Sequence, residues 1–185
     1  FYGLPGQIGS INRAIVMLGL NAVKNIAIAA SLAKLFRGGD LTPTFSAKSL
    51  WTHSVITAAI AKMLSDRLGM SVSDEAFLSG LMHDIGRVSL NEPQIIRMGY
   101  SDNDIARWSS EIIAESPYLS RVATHVRHQY EPYRKPGEQT DPDVSIVSRI
   151  IKVAAAYDWQ VHLEGLSPLQ ALEILHTGAA YDYDP

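Results

Sequence analysis

The stretch Gly80-Leu81-Met82-His83-Asp84-Ile85-Gly86 decides the fold of this chain. It ends an apolar helical segment with an adjacent imidazole and carboxylate, at positions that a helix would otherwise bury, and buried polar groups need partners. A His-Asp dipeptide alone is a weak signal, so the surrounding sequence has to give it meaning. Upstream, His53 lies inside another apolar helix, and downstream His125 and His128 are three residues apart, the spacing of one helical face. Four histidines and one aspartate within apolar helices predict a buried metal site with nitrogen and oxygen ligands, suited to Fe, Mn, Zn or Ni.

Apolar residues recur at helical spacing along the chain, and we find no strand pattern, internal repeat or low-complexity tract. The predicted helices cover residues 10–19, 21–36, 46–68, 73–86, 102–115, 117–130, 143–162 and 169–176. The predicted inward face of the helix at 46–68 consists of Leu50, His53, Ile56, Thr57, Ile60, Met63 and Leu64. The His53 ring on this face points into the core, either as a ligand or as a core histidine that bonds a backbone carbonyl. The sequence therefore predicts an all-α fold.

The composition narrows the classes of protein and of site. With 46% hydrophobic and 19% charged residues in 185, the chain reads as one ordinary globular domain. A net charge of −3 argues against a large nucleic-acid surface. The absence of cysteine excludes disulfides and thiolate-zinc chemistry and fits a reducing cytoplasm, where we expect the protein to act. The longest apolar run is too short to span a bilayer.

His53 and the stretch 80–86 resemble the metal-ligand motifs of the HD phosphohydrolase superfamily, in particular the HDOD signalling domains and their HD-GYP relatives. The opening passage, with Ser10-Ile11 and then Ala14-Ile15-Val16-Met17-Leu18-Gly19, is similar to HDOD domains, and the second half is similar to HD-GYP proteins. The resemblance implies a helical bundle around a His/Asp site. It also implies that residues 1–40 are the end of an N-terminal HDOD-like helical region that lacks its beginning, and that residues 41–185 form an HD-like helical domain.

The resemblance also implies roles for individual residues. Asp84 and Arg87 are the candidate catalytic residues, the arginine because HD-GYP relatives carry a lysine there and a cation suits a phosphate oxygen. The alternative for Arg87 is a surface cation near a helix C-terminus. The implied metal ligands are His53, His83, Asp84, His128 and Asp158, with His125 as a further candidate.

The sequence departs from the HD-GYP pattern at three places. Arg127 replaces the first member of a His-His pair, and the Gly-Tyr-Pro triplet is absent from residues 131–137. Ala155 stands where the closing metal-ligand aspartate of the family belongs, and Asp158 matches a second family aspartate three residues later. A helix rises about 4.5 Å over three residues, far beyond what metal ligation tolerates. Asp158 is therefore a poor substitute for the missing ligand.

Two functions remain open. The departures favour a signalling output domain of HDOD type with a degenerate metal site and little or no hydrolase activity, working with signalling proteins such as a receiver domain. The retained histidines and Asp84 favour a metal-dependent phosphodiesterase acting on a nucleotide or cyclic dinucleotide, as HD-GYP relatives do. The signalling function involves one divalent ion, Fe, Mn, Zn or Ni, or none, whereas two ions per chain would favour the hydrolase. We expect neither nucleic acid nor membrane as a partner, and a homodimer is compatible with the sequence. A third alternative is a helical core with incidental histidines.

Overall fold

The computed structural model of the protein describes residues 9–37, 46–89, 99–135, 137, 139–142 and 144–185. Its α-helices are α1 Ile11–Leu18, α2 Leu20–Leu32, α3 Ala47–Arg67, α4 Ser73–Met82, α5 Ile85–Ser89, α6 Asp102–Ala114, α7 Ser120–Arg127, α8 Ile146–Asp158 and α9 Pro168–Thr177. Short 3₁₀ turns lie at Leu35–Arg37 and Pro117–Leu119, and a π-helical turn at Trp159–Leu163 continues α8. The described residues contain no strand, so the all-α prediction is confirmed. The predicted boundary between residues 40 and 41 lies outside the described residues and stays a prediction.

Side-chain caps set most helix starts where the sequence predicts them. Ser10, Ser46 and Ser145 each accept a hydrogen bond from a backbone N–H three residues ahead, at the starts of α1, α3 and α8. Ser101 forms a reciprocal capping box with Asp104 at the start of α6. These caps satisfy N–H groups that a helix start leaves without an internal partner.

Four predicted helices differ from those observed. The helix predicted at 73–86 ends at Met82, and a separate helix begins at Ile85. The helix predicted at 21–36 ends at Leu32, and the one predicted at 117–130 begins with a 3₁₀ turn and ends at Arg127. The helix predicted at 143–162 begins only after the Ser145 cap and becomes π-helical at Trp159. The last two changes move several histidines relative to one another, as the site shows below.

Helix α3 packs against both α4 and α8, and its crossing with α4 depends on a glycine. A Cβ atom added at Gly80 would lie 2.8 Å from Ala58 Cα and 3.0 Å from Ala58 N, so the two backbones are in contact there. Most side chains on the buried face of α3 are accordingly small. The face consists of Ala47, Leu50, His53, Ser54, Thr57, Ala58, Ala61 and Ser65. The predicted inward position of Met63 is wrong, because this side chain is 54% exposed.

The turn after α4 is fixed by a second close approach. Gly86 N–H donates a hydrogen bond of 2.9 Å to Ser109 Oγ in α6, and a Cβ at Gly86 would meet the same Ser109 at 2.9 to 3.0 Å. Helix α5, which begins directly after the turn at His83 and Asp84, therefore packs closely against α6. No described helix is both long enough and apolar enough to cross a membrane.

Candidate metal centre

Three of the predicted ligands come together in the core. His53 comes from the middle of α3, whereas His83 and Asp84 lie in the turn between α4 and α5. His53 Nε2 is 3.2 Å from His83 Nε2, and His83 Nε2 is 3.5 Å from Asp84 Oδ2. All three side chains are buried, at 3% exposure or less. Among the residues that the structure describes, this is the group of His, Asp or Glu side chains whose ligand atoms lie close enough to hold a metal ion.

Hydrogen bonds on the far side of each ring fix the tautomers of both histidines. His83 Nδ1 lies 2.8 Å from the Gly80 carbonyl oxygen, and His53 Nδ1 lies 2.6 Å from Asp158 Oδ2. A carbonyl and a carboxylate only accept, so both Nδ1 atoms carry the proton and donate. Both Nε2 atoms then present lone pairs toward each other. Burial also lowers the pKa of His83 to about 4, which keeps this ring neutral near pH 7.

Asp84 is held as an anion by its surroundings. Burial alone would raise its pKa, but the neighbouring His83 and the Arg87 guanidinium outweigh that effect and hold the pKa at about 2. Arg87 Nε donates to Asp84 Oδ2 at 2.8 Å, while its Nη2 donates to Asp102 Oδ1 at 2.9 Å. Tyr130 Oη donates to the other oxygen, Asp84 Oδ1, at 3.4 Å, and burial raises the pKa of Tyr130, which keeps its proton in place.

The converging atoms fit a divalent cation. Two neutral imidazole nitrogens and a carboxylate oxygen all accept, and none of the three has a proton to share with the others. Ligands placed about 2.1 Å from one ion at right or tetrahedral angles are about 3.0 to 3.4 Å apart, close to the 3.2 Å and 3.5 Å observed. The cluster could therefore hold a metal ion, and a cation would remove the repulsion between facing lone pairs.

Asp158, another predicted ligand, lies behind His53 rather than among the donor atoms. Its Oδ2 accepts from His53 Nδ1, and its Oδ1 accepts from His162 Nδ1, each at 2.6 Å. Both oxygens are thus engaged on the side of the His53 ring that faces away from His83. Trp159, the next residue, packs edge-on against His53 with ring centroids 6.0 Å apart.

The structure does not bring His125 and His128 to this cluster. His125 lies between α4 and the start of α8, where it contacts Glu75 Oε2 at 3.3 Å and Ser145 Oγ at 2.8 Å. Burial lowers its pKa, although the contact with Glu75 opposes that effect. His128 is the residue after the last turn of α7, and its nearest carboxylate is Glu131 at 4.0 Å. The helix ends before His128, so the two side chains diverge instead of sharing a helical face.

A cavity of about 470 Å³ opens beside the three donors. Ala155 and Ala156 of α8 line it, so a methyl group stands where the family resemblance requires a carboxylate. Arg87 and Lys152 also line it, but Lys152 Nζ donates to the carbonyl oxygens of Glu131 and Asp182. The remaining lining residues are His53, His83, Asp84, Asp102, Gln129, Tyr130, Trp159 and Tyr183.

Sequence reasoning missed two supports of the site. Gln129 is buried and its Nε2 donates to the His83 backbone carbonyl at 2.9 Å, which holds the turn that carries the ligands. Tyr130 follows it and reaches Asp84. Both come directly after His128, and their position beside a predicted ligand is the signal that could have identified them. His162 is 52% exposed, yet its ring also bonds the buried Asp158.

Comparisons with known proteins place the chain among helical His/Asp domains. The family model described as HDOD domain matches residues 1–97, and the one described as HD domain matches residues 50–159. A crystal structure of an HDOD-domain protein of unknown function from Geobacter sulfurreducens superposes with a TM-score of 0.65 at 16% identity, covering 98% of this chain and 70% of that one. A candidate phosphohydrolase from Shewanella amazonensis superposes with a TM-score of 0.62 at 18% identity, covering 92% of this chain and 73% of that one. At such identities the two structures show a shared fold. No curated protein gives a significant match.

Proposed function

The chain belongs to the HDOD branch of the HD superfamily, and we propose that it is a signalling output domain whose metal site holds one divalent ion and supports little or no hydrolysis. The observation that carries this proposal is the size of the donor set. His53, His83 and Asp84 converge, whereas Ala155 lines the cavity where a fourth ligand belongs. The other predicted ligands, His125, His128 and Asp158, face other partners.

One ion rather than two follows from charge and geometry. A pair of divalent ions needs bridging carboxylates to offset its charge, and Asp84 is the carboxylate of the described cluster. Arg87 already donates to that carboxylate at 2.8 Å and adds a positive charge next to the site. A second cation would therefore meet both a missing ligand and electrostatic repulsion.

The cavity residues support binding more than turnover. A bound ion would supply Lewis-acid assistance to phosphate-ester hydrolysis. The chain's own groups are less suited to assist, because Arg87 is occupied by Asp84 and Asp102, and Lys152 by two backbone carbonyls. Tyr130 keeps its proton and donates a hydrogen bond to Asp84, so it is not placed as a base. In this proposal, a small molecule such as a nucleotide binds in the cavity, and protein partners distinguish the occupied domain from the empty one.

One observation favours the second function, a metal-dependent phosphodiesterase. The cavity of about 470 Å³ lies directly against the donor cluster, and pockets of about 300 to 1,000 Å³ hold small-molecule ligands. A substrate could therefore reach the ion. The two functions differ in whether an ester bound there is cleaved.

The test restores the missing carboxylate. Ala155→Asp and a matched control, Ala156→Asp, add the same charge to the same cavity wall at positions about 100° apart around α8. We expect wild type to bind one Mn²⁺ by calorimetry and to leave both a cyclic dinucleotide and bis(p-nitrophenyl) phosphate intact. Ala155→Asp should bind Mn²⁺ more tightly, and Ala156→Asp should not.

Two results would overturn the proposal. Metal-dependent cleavage by wild type that is lost in His83→Gln would establish the phosphodiesterase instead. Equal metal binding by wild type and Ala155→Asp at two ions per chain would show that the site is already complete.

A further inference from the structure

The chain changes its helical geometry at the metal centre. Helix α8 ends at Asp158 and continues as a π-helical turn over Trp159–Leu163, with Glu164 N–H donating to the Trp159 carbonyl oxygen at 3.1 Å. π-helical turns account for well under 1% of residues in soluble proteins and occur frequently at functional sites. This turn delivers two residues toward His53. Trp159 packs edge-on against its ring, and His162 reaches it through Asp158.

Asp158 is clamped between two imidazoles. Its side chain is 1% exposed, and each of its oxygens accepts a hydrogen bond of 2.6 Å, Oδ2 from His53 and Oδ1 from His162. His162 itself is 52% exposed, so this ring connects the protein surface to the buried carboxylate. A carboxylate held at both oxygens cannot rotate, and its Oδ2 is thereby fixed on His53 Nδ1.

We infer that His162 is a positioning residue for the metal centre, acting through Asp158 on His53. The inference rests on the proposed metal binding, because its effect is exerted on a ligand of that site. With both carboxylate oxygens bonded, His53 is held as the Nδ1–H tautomer with its Nε2 lone pair directed at the His83 side. Outer partners of this kind orient ligating histidines and raise their basicity, and their loss costs about 10- to 100-fold in metal affinity.

The expected effect lies at the lower end of that range. Without His162, the Asp158 carboxylate loses the bond that stops it from rotating, so its bond to His53 forms for only part of the time. Trp159 still packs against the His53 ring and limits its movement. We therefore expect His162→Ala to weaken Mn²⁺ binding about 10-fold.

The experiment compares four proteins by calorimetry with Mn²⁺ at pH 7.5. His162→Ala removes the bond, and His162→Asn replaces it with an amide N–H at nearly the position of Nδ1. His176→Ala removes an exposed histidine of α9 as the matched control. We expect wild type and His176→Ala to bind Mn²⁺ with the same affinity. His162→Asn should bind within about 3-fold of that affinity, and His162→Ala about 10-fold more weakly. Equal affinity in His162→Ala and wild type would overturn the inference.

A second measurement separates this inference from the metal proposal. Nitrogen-15 spectra of the metal-free protein report the His53 tautomer directly. We expect a single Nδ1–H form in wild type and in His162→Asn, and averaging between tautomers in His162→Ala. If wild type binds no Mn²⁺ but the spectra follow this pattern, the proposed metal function fails while His162 still positions His53. An unchanged tautomer in His162→Ala would refute the positioning role whether or not metal binds.

Discussion

Replacing Gly80 by alanine tests the helix crossing that brings His53 and His83 together. The added Cβ would lie 2.8 Å from Ala58 Cα, 3.0 Å from Ala58 N and 3.1 Å from the Thr57 carbonyl carbon. Each distance is several tenths of an ångström below ordinary contact, and all three atoms belong to backbone. No side chain can rotate away, so α3 and α4 must separate at their crossing.

The magnitude follows from two opposing effects. Overpacking a well-packed core costs about 1 to 3 kcal/mol, and contact between backbones belongs at the upper end. Alanine in place of glycine within a helix recovers up to about 1 kcal/mol of helix propensity. The net loss is about 2 kcal/mol of unfolding free energy, and for a domain of this size that lowers Tm by about 4 to 8 °C.

The assay is thermal and urea unfolding followed by circular dichroism. The matched control is Ser79→Ala, one residue earlier in α4, because Ser79 Oγ is buried and bonds no group that the structure describes. We expect Ser79→Ala to leave stability unchanged or slightly raised, since no hydrogen bond is lost. A Gly80→Ala protein as stable as wild type would show that α3 and α4 do not touch there. The same variant should bind Mn²⁺ more weakly, because separating the helices separates the two Nε2 atoms.

Two further predictions concern the histidines. The His83 pKa of about 4 in the folded state against 6.5 when unfolded means that unfolded chains take up the proton first as pH falls. Stability is therefore lost from pH 6.5 down to pH 4, by about 2 kcal/mol between pH 7 and pH 5, and urea unfolding should show a smaller loss in His83→Gln. An equal pH dependence in the two proteins would contradict a buried neutral ring. His128→Ala should leave Mn²⁺ affinity unchanged, since His128 lies next to Glu131 and away from the cavity. Removing a residue that supports a ligand typically weakens metal binding about 10- to 100-fold. A loss of Mn²⁺ affinity above about 3-fold in His128→Ala would therefore place His128 in the site.

The sequence was sufficient for the parts of the site that depend on local pattern. Apolar periodicity predicted the helices, and the position of His53 on an inward face follows from the same periodicity. The predicted helix at 73–86 is instead interrupted at His83 and Asp84, and this turn lets the two adjacent side chains converge. The resemblance to HD motifs then indicated which polar residues belong to one metal site.

The core face of α3 was predicted only in part, because it is built largely from small residues. Periodicity gives most weight to large apolar side chains, so Met63 was placed inward. The observed face is built from small residues such as Ala58 and Ala61, because α4 approaches closely enough at Gly80 for the backbones to meet. A close approach between two helices is a property of the pair and leaves little trace in either sequence.

The remaining ligands were predicted incorrectly because the positions of two helix ends were not predicted. Continuing α7 to Tyr130 would keep His125 and His128 on one face, but the helix ends at Arg127 and the two diverge. The π-helical turn after Asp158 had no recognised signal, so the contact of His162 with Asp158 was not predicted. In both cases the point at which a regular α-helix ends decides which partners a side chain can reach.

The most direct test of the account is the number of divalent ions per chain. Protein would be purified from metal-supplemented cells without chelator or nickel affinity, and its metal content measured by elemental analysis beside His83→Gln. We predict one equivalent of Fe, Mn or Zn in wild type and close to none in His83→Gln, because His83 supplies one of the three converging donors. Two equivalents in wild type, or equal content in both proteins, would contradict a single ion held by His53, His83 and Asp84.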